Sequence, residues 1–287
     1  MSRTDAFVTH RNLLFTVAYE MLGSAADAED VLQEVWLRWA DVDDDVREER
    51  AYLVRITTRL SLNKMRSQAR LREEYVGQWL PEPLLTAPDV AEDIVLADSV
   101  STAMLLVLET LPPVERAVFV LREVFAVDYD EIATAVDKSP AAVRQIAHRA
   151  RSHVEARRPK NEVPQAMANE VMDRFLLATA TGDLQSLMDV LAPDIVLITD
   201  GGGFKQAARR PILGVEKVLR FLLGVRDASS RADVVMINGS PALRLELEGE
   251  LDSIATFTVA GGVVTEIFIV RNPHKLAWLE TERVLSR

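Results

Sequence analysis

The chain has 287 residues, more than one hydrophobic core usually organises, so two or more domains are expected. Hydrophobic residues make up 48% and charged residues 27%, and there is no cysteine, which excludes disulfides and thiolate metal sites and fits a reducing cytoplasm. The net charge of -11 argues against a uniformly basic nucleic-acid binder, but two basic islands interrupt the acidic chain. Residues 51–72 hold Arg55, Arg59, Lys64, Arg66, Arg70 and Arg72 without an acid. Residues 138–160 hold Lys138, Arg144, Arg149, Arg151, Arg157, Arg158 and Lys160 against Glu155 alone. Screening confines charge effects to about 8 Å at physiological salt, so such islands can meet phosphates whatever the total. Residues 1–10 lack the apolar run of a signal peptide, and no apolar stretch is long enough to span a bilayer.

In chain order, Leu13, Leu14, Val17, Ala18 and Met21 recur with helical spacing. Ser24 and Asp27 are placed to cap a second helix whose apolar face is Val31, Leu32, Val35, Trp36 and Trp39. Residues 43–50 read as an acidic turn. A basic helix over 51–74 follows, with Leu53, Ile56, Leu60 and Met65 facing inward. The prolines of Trp79-Leu80-Pro81-Glu82-Pro83 break it and start an extended linker. Helices are expected over 91–109, 114–125, 129–136 and 140–157, with Pro112 and Pro113 separating the first two. Residues 158–164 are polar and proline-punctuated, a domain boundary. Beyond them come helices at 165–180, 184–191 and 215–223 and β-branched runs at 195–199, 232–237, 243–247, 254–259 and 263–270. That order predicts an α+β domain with one curved antiparallel sheet.

The densest chemical signal is 128–151. Asp128 and Glu131 suit a helix start, Asp137 suits a left-handed turn, and Ser139-Pro140 suits the start of a second helix. With Val143 and Ile146 inward, Arg144, Gln145, His148, Arg149 and Arg151 are left outside. This is a helix-turn-helix pattern offering donors to a major groove; the bland alternative is a helical hairpin with a solvated basic face. Arg59, Asn63, Lys64 and Arg66 on the first basic helix mix phosphate binders with a polar reader, although a solvated face would look similar. Asp27, Asp30, Gln33, Glu34 and Trp36 give the second helix an acidic, aromatic-anchored face suited to protein docking, or simply acids at a helix N-terminus.

Taken together, Asp27–Trp36, the basic 51–59 segment, Leu-Pro-Pro-Val-Glu-Arg-Ala-Val-Phe-Val-Leu-Arg at 111–122 and the helix-turn-helix closely resemble the extracytoplasmic-function sigma factors of bacterial RNA polymerase, over about residues 6–157. Trp-Leu-Pro-Glu-Pro at 79–83, Asp-Gly-Gly-Gly at 200–203 and Asn-Pro-His-Lys-Leu at 272–276 resemble the SigJ-like subgroup with a fused SnoaL-like domain. In that subgroup Lys usually ends the glycine loop, where Phe204 precedes Lys205, and Asp usually stands at His274.

The resemblance implies a multidomain chain: sigma region 2 at 1–76, a helical bundle; a linker at 77–90; region 4 at 91–158; a linker at 159–164; and a SnoaL-like/NTF2-like α+β cone at 165–287. It implies RNA polymerase core and promoter DNA as partners. The Asp27–Trp36 helix would dock on the β′ clamp helices. Residues 111–122 would lie near the β flap. Arg59, Asn63, Lys64 and Arg66 would serve the −10 element, and Ser139, Arg144, Gln145, His148, Arg149 and Arg151 the −35 element. Trp79, Pro81, Pro83, Asp200, Gly201, Gly202, Gly203, Asn272 and Pro273 would carry regulation between domains. No catalytic residue, metal or cofactor is expected, and the setting would be cytoplasmic with no membrane association. The SnoaL-like domain leaves room for an unidentified small ligand or protein. Asp200 or His274 as a general base, in an enzyme with an attached DNA-binding module, is a competing reading. So is a helix-turn-helix regulator acting without polymerase. The acidic 27–36 helix and the second basic helix tell against that last one.

Overall fold

A computed structural model describes residues 2–42, 46–87, 90, 93–158, 165–224 and 230–287. The expected linker 159–164, part of the acidic turn at 43–50, the end of the linker before residue 90 and the first residues of the helix expected at 91 lie outside the described residues. Cα packing divides the chain into two units. The first is residues 1–74, 86–158 and 282–287. The second is residues 75–85 and 159–281.

The first unit is helical. Helix α1 (Arg3–Leu22) starts in a capping box between Ser2 and Asp5 and ends at Gly23, whose φ of 66° closes the last turn. Ser24 accepts from the Asp27 amide and starts α2 (Ala25–Ala40). Helix α3 (Glu49–Glu73) packs on both. Its buried face is Leu53, Val54, Thr57, Thr58, Ser61 and Leu62, whereas Ile56, Leu60 and Met65 are only half-buried. The expected inward set is thus corrected. Thr57 and Thr58 bury because their hydroxyls donate to the Leu53 and Val54 carbonyls one turn back.

The helix expected over 91–109 is two helices, α4 (Ile94–Val100) and α5 (Thr102–Glu109). Ser101 breaks them apart by accepting from the Met104 amide as an N-cap. Helix α6 (Pro113–Phe119) runs into a π turn (Val120–Val124), so the helix expected over 114–125 is two kinds of turn in succession. Helices α7 (Tyr129–Val136) and α8 (Pro140–Arg157) form the helix-turn-helix. Asp137 turns the chain in the left-handed conformation (φ 55°, ψ 55°), and Ser139 caps α8 with Pro140 in its first turn. Asp128 sits at the α7 N-cap without a side-chain cap hydrogen bond.

The second unit is α+β. Helices α9 (Gln165–Thr181), α10 (Leu184–Val190) and α11 (Val215–Gly224) accompany a six-stranded sheet, counted among the described residues, of order β2-β1-β6-β5-β4-β3. The strands are β1 (Leu191–Asp200), β2 (Ile212–Leu213), β3 (Ser230–Ile237), β4 (Ser240–Leu247), β5 (Glu250–Ala260) and β6 (Val263–Val270). Strand β1 pairs with β6 in parallel, so the sheet is mixed where a purely antiparallel one was expected. Residue patterning marks strands but carries no direction for a pair so distant in sequence. The core gathers Phe175, Leu187, Ile195, Leu197, Val218 and Ile267, with Phe175 edge-on to Phe257 at 5.3 Å. Its job for the site is to fix the end of β1, Asp200, beside α12 (Pro273–Leu276) at the end of β6.

Candidate nucleic-acid interface

Helix α8 buries Val143, Ile146, Ala147, Ala150 and Val154. That turns Arg144, Gln145, His148 and Arg149 outward, where they line an open cleft of about 500 Å³. Supports differ along the row. The Arg144 guanidinium lies 5.3 Å from the Tyr129 ring centre, and Arg122 flanks the same ring at 4.5 Å. Arg149 pairs with Glu115 at 3.2 Å, and Arg151 with Glu123 at 2.6 Å. The N-terminal half of the helix therefore offers the forked donors, while Arg149 and Arg151 are tied to their own module. Ser139 is exposed but acts locally, its hydroxyl accepting from the Ala142 amide.

On α3, Arg59, Asn63 and Arg66 are exposed and Lys64 is half-buried. Sequence treated this set and the α2 acids separately, but the fold joins them. Lys64 Nζ lies 3.0 Å from Asp27 and 2.9 Å from Asp30, and Gln68 donates to Asp27. Burial lowers the Lys64 pKa and the two carboxylates raise it; the carboxylates prevail, so Lys64 stays charged above its usual range. Arg59 has a different neighbour again. Its guanidinium donates to the carbonyls of Thr134 (2.8 Å) and Ala135 (3.3 Å), the unpaired end of α7. Arg59, Asn63 and Arg66 thereby share a cleft of about 560 Å³ with Asp137 and Lys138 of the helix-turn-helix turn.

The exposed face of α2 is Asp30, Gln33, Glu34 and Leu37. Trp36 is half-buried against Phe7, ring centres 5.2 Å apart, and Trp39 is buried with its indole N–H on the Arg3 carbonyl. The apolar residue offered outward is Leu37, 63% exposed, which sequence reading missed. Its position as an apolar residue outside the Val31, Leu32, Val35, Trp36 and Trp39 face was the available signal.

In the second unit the Asp-Gly-Gly-Gly loop, the Asn-Pro-His-Lys-Leu turn and segment 75–85 come together. The Asp200 carboxylate is fully buried. It accepts from the Tyr75 hydroxyl (2.6 Å), the Leu80 amide (2.9 Å), the Gly202 amide (3.0 Å) and Lys275 Nζ (2.7 Å). Lys275 also donates to the Leu80 carbonyl at 2.5 Å and lies over the rings of Trp79 (4.3 Å) and Tyr75 (4.9 Å). Asn272 donates to the Tyr75 hydroxyl and caps α12. Burial and the Asp200 carboxylate push the Tyr75 phenol well up, so it remains a donor. A Cβ on Gly201 would stand 2.1 Å from the Lys205 carbonyl, and one on Gly202, at φ 59°, 2.2 Å from the Asn272 amide nitrogen. Both glycines are therefore required for the close approach. Further along, Leu84 exchanges hydrogen bonds with Asn238, and Leu85 bridges Ile237 beside the edge strand β3. Pro81 and Pro83 are buried in this extended stretch, while Pro273 is exposed in the first turn of α12.

Tyr75, Leu84 and Asn238 were not foreseen. The two departures from the subgroup pattern meet each other, for the Phe204 and His274 rings lie 4.5 Å apart, edge to face. Both Asp200 oxygens are engaged as acceptors, an arrangement for holding chain rather than for taking a proton from a substrate. Among the described residues no group of three or more His, Cys, Asp or Glu is placed to hold a metal, and no helix is long and apolar enough to cross a membrane.

Two helical modules, one with an outward basic face on α8 and one with an acidic face on α2, have the layout of a transcription initiation factor of the sigma class. The sequence matches Sigma-70 region 2 over residues 6–71 and Sigma-70 region 4 over residues 101–154. It is 37% identical over 285 residues to the ECF RNA polymerase sigma factor SigJ of Mycobacterium tuberculosis (strain ATCC 25618 / H37Rv), covering 94% of this chain and 91% of that one. It is 31% identical over 284 residues to the same organism's probable ECF RNA polymerase sigma factor SigI, at 96% of both chains. The crystal structure of the M. tuberculosis SigJ superimposes with a TM-score of 0.79 at 34% identity, over 96% of this chain and 99% of that one. The chain belongs to the extracytoplasmic-function RNA polymerase sigma factors.

Proposed function

We propose that the first unit reads promoters through α3 and α8 and docks on polymerase through α2, and that the second unit governs it through segment 75–85. The single observation carrying this is the Asp200–Lys275 clasp on Tyr75, Trp79 and Leu80. Segment 75–85 is the covalent link between α3 and the chain leading to α4. Holding it extended fixes the span between residues 74 and 86, and so the reach of the −35 reader relative to the −10 reader. Leu80 and Leu84 are both fully buried, each worth roughly 2 kcal/mol, so release of the linker is costly but not prohibitive.

Within this reading, Arg144, Gln145 and His148 contact base edges of the −35 element. Arg59, Asn63 and Arg66 serve the −10 element, which requires Arg59 to leave α7. Asp30, Gln33, Glu34 and Leu37 meet the β′ clamp helices, and 111–122 supports α8 near the β flap. The setting is the cytoplasm, where polymerase is. Residues 165–287, as a SnoaL-like regulatory domain, stand in for a separate anti-sigma partner. Replacing Trp79 and Pro81 with Ala should change promoter output several-fold in the full chain and leave a 1–158 truncation unaffected. Equal effects in both would overturn the control by the second unit.

A further inference from the structure

Residues 282–287 come after the second unit in the chain but belong to the first. Their anchors alternate as in an extended strand, so Arg283, Leu285 and Arg287 share one side. Arg283 pairs with Glu29 of α2 at 2.6 Å and lies 5.4 Å from the Phe15 ring of α1. Glu29 is itself held by Arg11 at 2.8 Å. Leu285 is buried, and the Ser286 amide donates to the Thr16 hydroxyl of α1 at 3.2 Å. Arg287 pairs with Asp93, the N-cap of α4, at 2.5 Å, and Arg283 bridges Thr86 just upstream. One short segment therefore grips both halves of the sigma unit: α1 and α2 on one side, and the entry to α4 on the other.

We propose that residues 282–287 are an internal peptide ligand that staples region 2 to region 4. Its seat is an acid-ended groove formed by Glu29, Phe15, Thr16 and Asp93, and it takes an extended Arg-x-Leu-x-Arg strand. The staple maintains the closed arrangement in which Arg59 covers the end of α7 instead of DNA. Glu29 ties this device to the docking helix, so polymerase binding at α2 and release of the staple are coupled. The inference rests on the proposal that the chain following residue 158 governs the sigma unit, and adds a second route for that control.

The absence of native cysteine makes a direct test available in the full chain. In T16C/S286C, oxidation should form a disulfide that locks the staple, lowering core-dependent run-off initiation by about tenfold, with dithiothreitol reversing the loss. Charge reversal in R283E/R287E should raise initiation by about tenfold, the scale of shift that two weak ion pairs supply. It should also speed amide exchange over residues 93–100. V284E, on the exposed side of the same segment, should leave initiation unchanged. Failure of the cysteine pair to oxidise, equal initiation in its two redox forms, or unchanged initiation and exchange in R283E/R287E would each overturn the staple. If W79A/P81A still alters initiation in that event, the linker route stands without the staple; if only the staple variants act, the linker route fails alone.

Discussion

Glu20 is a fully buried acid on α1 whose partner, the Ser99 hydroxyl, comes from α4. Burial pushes its pKa up to about 8, and its second oxygen has no hydrogen-bond partner among the described residues. Ser99 has one proton and two acceptors in reach, Glu20 and the Leu96 carbonyl. A protonated Glu20 resolves this by donating to Ser99, which donates onward. Because the folded state holds this proton more tightly than the unfolded chain, its stabilisation is complete below the ordinary carboxylate range. It falls as pH rises from about 4.5 to about 8. Glu20→Gln should flatten that slope and raise the melting temperature at pH 8; a slope unchanged in the variant would refute the assignment. Asp200 is the opposite case, a buried carboxylate fully paired. Asp200→Ala leaves Lys275 buried without its counter-ion and should destabilise the second unit by about 3–5 kcal/mol in denaturant unfolding. Asp200 and its glycines were legible from the sequence because Asp-Gly-Gly-Gly is a contiguous motif that carries the family resemblance. Tyr75 and Asn238 were not, since a lone tyrosine or asparagine gains meaning only from a partner more than a hundred residues away.

At the scale of elements, helix starts and turns were the most readable feature. Ser24, Ser139-Pro140 and Asp137 stand where their backbone preferences require. What misled was periodicity without context. Thr57 and Thr58 line the buried face of α3 because a helix carbonyl can satisfy a hydroxyl, and an apolar count cannot see that. The parallel β1–β6 pair and the join of Lys64 to Asp27 and Asp30 are likewise long-range facts. For α8 the local reading and the fold agree on an outward Arg144 and Gln145. R144A/Q145A should lower initiation at a −35-dependent promoter by about 10–100-fold, the scale of losing a bidentate base contact, while leaving the melting temperature unchanged because both residues are exposed. A fall in stability matching the fall in activity would assign these side chains to the fold instead.

Over the whole molecule, the net charge of -11 hides two basic islands: the cations are concentrated on α3 and α8, and the excess acid lies elsewhere. In the conformation described, several island residues are paired with groups of their own unit. Arg59 is on α7, Lys64 on the α2 acids, and Arg149 and Arg151 on Glu115 and Glu123. Burial also draws Arg72 and Arg116 down to about 10 while both pair with Glu109 and donate to carbonyls ending α1. Of these contacts, those of Arg59 with α7, Arg72 with Glu109 and Arg116 with the Met21 carbonyl join α1 and α3 to the helices that follow residue 93. The most direct measurement is run-off transcription with purified core polymerase and the full chain on fragments of a bacterial genome. Transcripts with defined starts should appear only when both proteins are present, and more abundantly once the linker clasp is weakened by W79A/P81A. If no fragment supports initiation that depends on both proteins, the account is contradicted at its centre.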